Sequence, residues 1–529
     1  MNFVSFYLGR HDSNVAAWID GRVRYAKSER ATGIKHHRAT LEFVERTCAE
    51  WGLDHVDAVA FSDGERNGLG RCAPNQLFER SRPVLPRFGD VPTWCVDHHY
   101  AHVLSGWPLL PVAEAAVGVA LDGNGDNGNS QSVIRAPGSK TPELVFSTGN
   151  RSFGMLFEKI GMLMKLSGGL EDLVGKVMGA QAYGSVDHDY LNGIDFDAIA
   201  DHAIYDLIRA VPWRGAIPEA DPQIVVDAIA RRWVPRAGND FFSFDNPSFR
   251  DWLATIHHGV AGYVLRFFQR HCRAEDTILY AGGCAQNVVC NELLARHFPL
   301  LAIPPHAYDG GLSLGCLELL RIQLDQPLFP TGGFPYWQDD PVEATPSPQT
   351  IERVAELLAA GRIVAWHQGR GELGPRALGH RSILMDPRIA DAKEILNTRV
   401  KLRERWRPYA PSVLESRAGE WFEMSGSSRY MLRAIDVRPE RREQLAAIVH
   451  EDGTARVQTV ADGPGTEHEP FAALLRAFEA RTGVPVLLNT SLNAGGSPIF
   501  STAAQSEAFY HEVALDALCV GDRLLIKST

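Results

Sequence analysis

The chain has 529 residues, enough for two to four packed units at roughly 100–200 residues per domain. With 45% hydrophobic residues, 22% charged residues and a net charge of −11, the composition is that of a folded protein and argues against a general surface for nucleic acid or anionic membrane. No uncharged apolar run approaches a membrane span, and Arg10, His11 and Asp12 break the first apolar stretch too early for a signal peptide. The eight cysteines include no C-x-x-C pair, so a cytoplasmic protein with reduced, mostly buried thiols is expected.

The N-terminal segment "FVSFYLGRHDSNVAAWIDGRVRYA" reads as an apolar strand, a Gly-Arg-His-Asp loop, a second strand and a tight Asp20-Gly21 hairpin turn. "AAVGVALDGNGDNGNSQSVIRA" repeats strand, Gly/Asp loop and strand on the order of a hundred residues later, the pattern of an internal duplication. Between them, "WCVDHHYAHV" sets His98 and His102 four apart, on one face of a helix, with His99 off that face. In a chain with 19 histidines about one such pair arises by chance, so a metal site needs further ligands. A mixed nitrogen and oxygen set would take carboxylates from strand-to-glycine loops: Asp122 in "VALDGNGDNG" and Asp309 in "HAYDGGLSLG", with Asp126 a nearby competitor. The same aspartates would equally suit Asx turns.

"DTILYAGGCAQNVVCNELLARHF" is a strand running into a helix that begins near Gln286. Gly282, Gly283 and Asn287 then stand at a helix N-terminus, which is either an anion site or a tight strand-to-helix turn. From Gln326 to Thr350 six prolines and two glycines exclude a helix or central strand, which sets domains at 1–325 and 351–529 around a 326–350 linker. The second domain reads as an α/β unit: helix "TIERVAELLAAG", strand "RIVAWHQG", helix "DAKEILNTRV" and strand "PVLLN".

Between Arg370 and Arg407 ten Lys or Arg stand against five Asp or Glu, interleaved with Gly, Pro and apolar residues. That spacing suits a pocket gripping phosphates, where Arg offers a planar fork and Lys a point charge, better than a solvated basic face. In "PVLLNTSLNAGGSP", Asn489, Thr490, Ser491 and Asn493 either form a turn or hydrogen-bond a small planar ligand such as a carboxylate or carbamoyl group. No G-x-x-x-x-G-K-[ST] sequence is present, so an ATP site would be of another kind.

Taken together, "GRHDSNVAAWIDG", "HHYAH", "LDGNGDNG", "GKVMGAQAYG", "AGGCAQNVVCN", "YDGGLSLG", "GRGELGPRALGHRSILMDPR", "VKLRERWRPYAPSVL" and "PVLLNTSLN", in this order, resemble the NodU/CmcH carbamoyltransferase family of nodulation and antibiotic-biosynthesis enzymes. The resemblance implies a duplicated actin-like ATPase domain (ASKHA, RNase H-like) similar to tRNA threonylcarbamoyl-transferases. A YrdC-like twisted α/β sheet domain would follow and activate carbamoyl phosphate with ATP. It implies metal ligands at His98, His102, Asp122 and Asp309, holding Fe(II) or another divalent transition metal, and Mg²⁺ with the ATP. Anion-gripping positions fall on Arg376, Lys401, Arg407, Arg456 and Ser491, with Arg370, Arg381 and Asn489 as neighbours. His11, the expected general base, and Lys35 fall near the transfer site, while Gly282, Gly283 and Asn287 would hold the adenylate. The chain departs from the family at Arg10, inserted in the "GHD" signature, at Val174 where Glu is common, and at Ser497 in place of "GEP".

The expected reaction converts carbamoyl phosphate to carbamoyl adenylate, with release of phosphate and pyrophosphate, and moves the carbamoyl group through an internal channel to a hydroxyl of a small natural product. The expected partners are this acceptor and, from the resemblance, a second copy in a homodimer, with no nucleic acid and no membrane. Two rival enzyme readings are an actin-fold small-molecule kinase, which would yield ADP, and N-carbamoylation of an amine. A third is a nucleotide-driven regulator or chaperone with no acceptor.

Overall fold

Asp20 and Gly21 both adopt positive φ, the backbone geometry of a two-residue hairpin, and join β2 (Asn14–Ile19) to β3 (Arg22–Lys27). In this computed structural model, which describes residues 1–62, 68–110, 115, 117–149, 152–192, 242–463 and 468–528, β1 (Phe3–Tyr7) pairs antiparallel with β2 and parallel with β4 (Ala58–Ser62). Edge strand β5 (Phe78–Ser81) and β6 (Thr93–Val96) complete a sheet of order β3-β2-β1-β4-β6-β5. Every residue of β1 is buried, as in a central strand covered on both faces.

The second sheet repeats the plan. β7 (Val117–Leu121), β8 (Gln131–Arg135) and β9 (Glu143–Thr148) form an antiparallel meander, and β10 (Ile278–Ala281) and β11 (Leu301–Ala302) add in parallel beyond β7, in the order β11-β10-β7-β8-β9. Apart from the extra edge strand β5 of the first, the two sheets share one strand order and one set of directions, a duplicated actin-like architecture. Four helices matter for the site: α1 (His98–Leu104), α2 (Leu170–Ala180), α3 (Val288–His297) and α4 (Leu312–Gln323). α4 is buried from Leu312 to Ile322 and packs on β1, β2, β4 and α1. Its charged pair is satisfied internally, with Arg321 donating to Glu318 at 2.7 Å.

The Pro-rich stretch 326–350 is more ordered than its composition suggests. Trp337 stacks on Trp107, and Phe329 packs on Trp18 with ring centroids 4.5 Å apart, which anchors the connection to the first half's core. β12 (Gln338–Val342) makes only a two-stranded, register-shifted ladder, consistent with Pro341 inside it. A helix starts already at Pro348, N-capped by Ser347, so proline serves here as a first-turn residue.

β13 (Val364–His367) leads to β14 (Gly369–Gly371), the partner of β12, and then to β15 (Arg381–Met385) and β16 (Ala410–Leu414). A small ladder joins β17 (Ala434–Asp436) to β18 (Thr454–Arg456). β19 (Gln458–Val460), β20 (Val486–Ser491), β21 (Ala517–Val520) and β22 (Arg523–Ile526) complete a mixed seven-stranded sheet of order β19-β16-β20-β15-β13-β21-β22. The helices Pro348–Ala359, Ala392–Arg399 and Glu469–Thr482 contribute apolar residues to its core. All eight cysteines are unbridged, and no described helix is long and apolar enough to cross a membrane.

Candidate active site

α1 begins where Asp97 accepts a hydrogen bond from the Tyr100 N–H, an N-cap that fixes the helix start one residue before His98. The four-residue spacing then brings the Nε2 atoms of His98 and His102 within 3.1 Å. Asp122 follows β7 and Asp309 precedes α4. The His98 Nε2 lies 3.1 Å from Asp122 Oδ2 and 3.5 Å from Asp309 Oδ1, and the His102 Nε2 lies 3.5 and 3.4 Å from the same two oxygens. All four residues are buried. Ligand atoms about 2.0–2.2 Å from one centre stand about 3–3.5 Å apart, so this set fits a divalent transition metal. Electrostatics agree. Burial disfavours charge on His98, yet Asp309 and Asp122 outweigh it and hold the imidazole well above its usual pKa. Two facing imidazoliums repel, whereas one cation balances both carboxylates. Neighbours orient the ligands: Tyr7 donates to Asp309 Oδ2, and the Gly283 N–H donates to Asp122 Oδ1 at 2.8 Å. Asp126 instead accepts from the His98 backbone N–H, and His99 bonds Ser132, so neither belongs to the cluster.

Beside it lies a network that sequence reasoning largely missed. Lys27, at the end of β3, sits 2.6 Å from Asp12 and 2.9 Å from Glu29, all three buried. Asp12 also meets His11 Nδ1 and His36 Nδ1, each at 2.9 Å. Burial works against the charge on Asp12, but Lys27, His36 and His11 outweigh it and hold the carboxyl well below its usual range. Burial likewise opposes a charged His11, yet Asp309, Asp12 and Glu171 raise its pKa to about 10. Asp309, the largest of these contributions, is also a candidate metal ligand, so a divalent ion there would offset it. Lys35 pairs with Asp172 on α2, as does the His36 Nε2 at 3.4 Å. Asp12 stood in the "GRHD" motif, and His36 follows Lys35 directly. Lys27 and Glu29 carried no signal, because charges after a strand usually face solvent.

In the C-terminal half, among the described residues, a cluster of cations meets one carboxylate loosely, Glu404 at 3.9 Å from Arg407. Lys401 is buried and donates to Asn493 Oδ1 at 2.6 Å and to the Ser491 hydroxyl and carbonyl oxygens. Burial together with Arg403, Arg407 and Lys35 pulls its ammonium well below the usual pKa. Burial alone brings Arg376 down to about 10, and burial with Arg403 brings Arg407 to about 10. Burial and the surrounding guanidiniums push Arg456 well below its usual value, and the Nε atoms of Arg376 and Arg456 are buried without a protein partner. Concentrated positive charge with open donors is what a polyphosphate satisfies.

One cavity of about 690 Å³ joins these parts. Its wall includes His11, Lys35, Asp122, Asp309, Gly283, Asn287, Arg376, Lys401, Arg407, Arg456, Asn489 and Ser491. Four predicted residues are set back or differently employed. Arg381 is fully buried and donates to the backbone carbonyls of Gln368 and Gly369, so it braces the β13–β15 turn and is not on the wall. Arg370 in β14 is not on it either. At Gly282 a Cβ would come 2.2 Å from the Leu121 carbonyl oxygen, so this glycine admits a close approach of the protein's own backbone, and Gly283 rather than Gly282 lines the cavity. Asn287 lines the cavity while capping α3 through the Cys290 N–H and meeting His257 Nε2 at 3.0 Å.

The halves are also clasped outside the predicted set. Lys176 of α2 reaches Glu404 at 2.6 Å, Arg433 reaches Glu292 of α3 at 2.7 Å, and Arg30 donates to the Ile499 carbonyl.

The family model "Carbamoyltransferase C-terminus" matches residues 355–527. The 3'-hydroxymethylcephem-O-carbamoyltransferase of Amycolatopsis lactamdurans is 36% identical, covering 99% of this chain and 98% of its own. Nodulation protein U of Rhizobium tropici is 32% identical over 93% and 91% of the two chains, and nodulation protein NolNO of Sinorhizobium fredii 31% identical over 98% and 79%. Among solved structures, the activator of 2-hydroxyisocaproyl-CoA dehydratase from Clostridium difficile aligns with a TM-score of 0.34 at 11% identity, over 61% of this chain and 97% of its own, too slight a likeness to bear on function. Relatives that align end to end with this chain, together with the matched C-terminal model, establish that it belongs to the carbamoyltransferase family of nodulation proteins and cephem O-carbamoyltransferase.

Proposed function

We propose that the protein is an ATP-dependent O-carbamoyltransferase acting on a hydroxyl of a small molecule. Residues 351–529 act as a YrdC-like activating domain, and residues 1–325 carry out the transfer. In the first half-reaction, carbamoyl phosphate, water and ATP give carbamoyl adenylate, phosphate and pyrophosphate. Arg376, Lys401, Arg407 and Arg456 bind the phosphates with Mg²⁺ and offset the charge that develops on them. In the second, the acceptor oxygen bonds the carbamoyl carbon as the bond to the adenylate oxygen breaks; the hydroxyl proton departs and AMP leaves. His11 and Lys35 stand at the transfer end toward the carbamoyl and phosphate oxygens, with His11 oriented by its 2.9 Å contact with Asp12. His98, His102, Asp122 and Asp309 hold the divalent ion, for which Fe(II) is the candidate; when bound it supplies Lewis-acid polarisation.

The observation that carries this reading is the continuous cavity, which reaches from the cation cluster of the C-terminal half to Asp122 and Asp309. A hydrolytically fragile mixed anhydride needs such an enclosed route. The test is incubation with ATP, Mg²⁺ and carbamoyl phosphate without acceptor, followed by mass spectrometry. Pyrophosphate and carbamoyl adenylate are the expected products; ADP alone would favour a phosphotransferase, and intact ATP would remove the activating role.

A further inference from the structure

The wall of the cavity contains one amide whose orientation the protein fixes from behind. Asn489, in β20 two residues before Ser491, is 1% exposed. Its Nδ2 donates to the Ala377 carbonyl at 3.2 Å, to Gln458 Oε1 at 3.2 Å and to Ser412 Oγ at 2.9 Å. The Ala377 carbonyl can only accept. Gln458 is itself fixed, because its Nε2 donates to the Leu378 carbonyl at 2.8 Å, leaving its Oε1 as acceptor, and Ser412 donates to that oxygen at 2.6 Å. Flipping Asn489 would set its carbonyl oxygen against two other carbonyl oxygens. The amide therefore has one orientation, and its Oδ1 is left buried with no partner in the protein. An unmatched buried acceptor is costly and calls for an N–H or O–H from a ligand.

The surrounding wall supplies donors for a phosphate: Lys401 lies beyond Ser491, and Arg376 precedes Ala377, whose carbonyl holds the amide. An acyl phosphate bound by its anion would bring its carbonyl substituent to this wall. In carbamoyl phosphate that substituent is an –NH₂, two donors with no other claim on them.

We propose that Asn489 is the specificity residue of the activating site, accepting the carbamoyl –NH₂ on Oδ1 and so rejecting acyl phosphates that present a methyl group instead. This rests on the function proposed above. The selection is negative as much as positive, because a methyl group would seal the buried oxygen without a hydrogen bond.

The experiment uses the full chain and measures carbamoyl-phosphate-dependent pyrophosphate release from ATP, with acetyl phosphate as the isosteric competitor. The readout is the ratio of the acetyl phosphate inhibition constant to the KM for carbamoyl phosphate. Asn489→Leu is expected to lower that ratio by roughly 10- to 100-fold with the KM for ATP unchanged. Asn489→Ser, which removes Oδ1 without adding bulk, should lower it too should the leucine variant fail to fold. Ser412→Ala perturbs the same network but leaves Oδ1 in place, so it should keep the wild-type ratio. If both Asn489 variants keep that ratio, or weaken acetyl and carbamoyl phosphate equally, Asn489 is only a structural amide and the proposal is overturned. Wild-type protein that releases no pyrophosphate would instead remove the functional reading on which the proposal rests.

Discussion

His36 shows how one residue couples the transfer end of the cavity to pH. Burial disfavours its charge, but Asp12 and Asp172 outweigh this and raise the imidazole to about 9 from 6.5. A raised folded pKa means that the stabilising charge is fully present below about 6.5 and is lost as pH climbs through about 9. The shift corresponds to about 3 kcal/mol between those limits. Urea unfolding at pH 6.5 and 9 should show wild-type protein losing stability across that window. His36→Asn should be less stable at pH 6.5 and lose less between the two pH values. Equal slopes would mean that His36 is not charged in the folded protein.

At the level of elements, the geometry of the His98, His102, Asp122 and Asp309 cluster depends on how closely α4 approaches α1. A Cβ at Gly315 would lie 1.8 Å from the Ala101 carbonyl oxygen, between the turns that carry His98 and His102. That atom cannot give way without moving α1. Gly315→Ala should lower divalent-ion affinity at least about tenfold, as loss of ligand support does elsewhere, and leave pyrophosphate release intact. Calorimetry with Mn(II) or anaerobic Fe(II) reads the first quantity; unchanged affinity would show that the helix can shift without disturbing its histidines. α2 has a comparable role between the halves. Asp172 meets Lys35 and His36 at its first turn, and Lys176, one turn on, meets Glu404 beside the cation cluster.

Across the whole molecule, the proposed function divides the chemistry between two halves that share one cavity, and substitutions should separate them. His102→Ala should abolish carbamoyl transfer to an acceptor while carbamoyl-phosphate-dependent pyrophosphate release persists. Arg456→Met should abolish both, because no adenylate forms to be transferred. Loss of pyrophosphate release in His102→Ala would sink the division of labour, and product mass spectra decide between these outcomes.

By itself the sequence determined the repeated strand–loop–strand plan, the helical phase of His98 and His102, and the cation-rich run from Arg370 to Arg407. These rest on local rules: hairpin chemistry, a 3.6-residue period and charge interleaved with apolar residues. Only the tertiary structure decided which charges count. Arg370 and Arg381 looked the same in sequence as Arg376, yet the terminal nitrogens of Arg381 donate to backbone carbonyls behind the wall while Arg376 lies on the cavity wall. Gly282 and Gly283 looked like one ligand-binding pair, yet Gly282 serves a close backbone approach. Two of the carboxylates that face His11 are Asp309 and Glu171, nearly 300 and 160 positions away, and no local pattern reports them. Burial and charge pairing depend on what the fold brings together from distant parts of the chain, so a residue's ionisation and its free hydrogen-bonding capacity are settled only once the chain has folded.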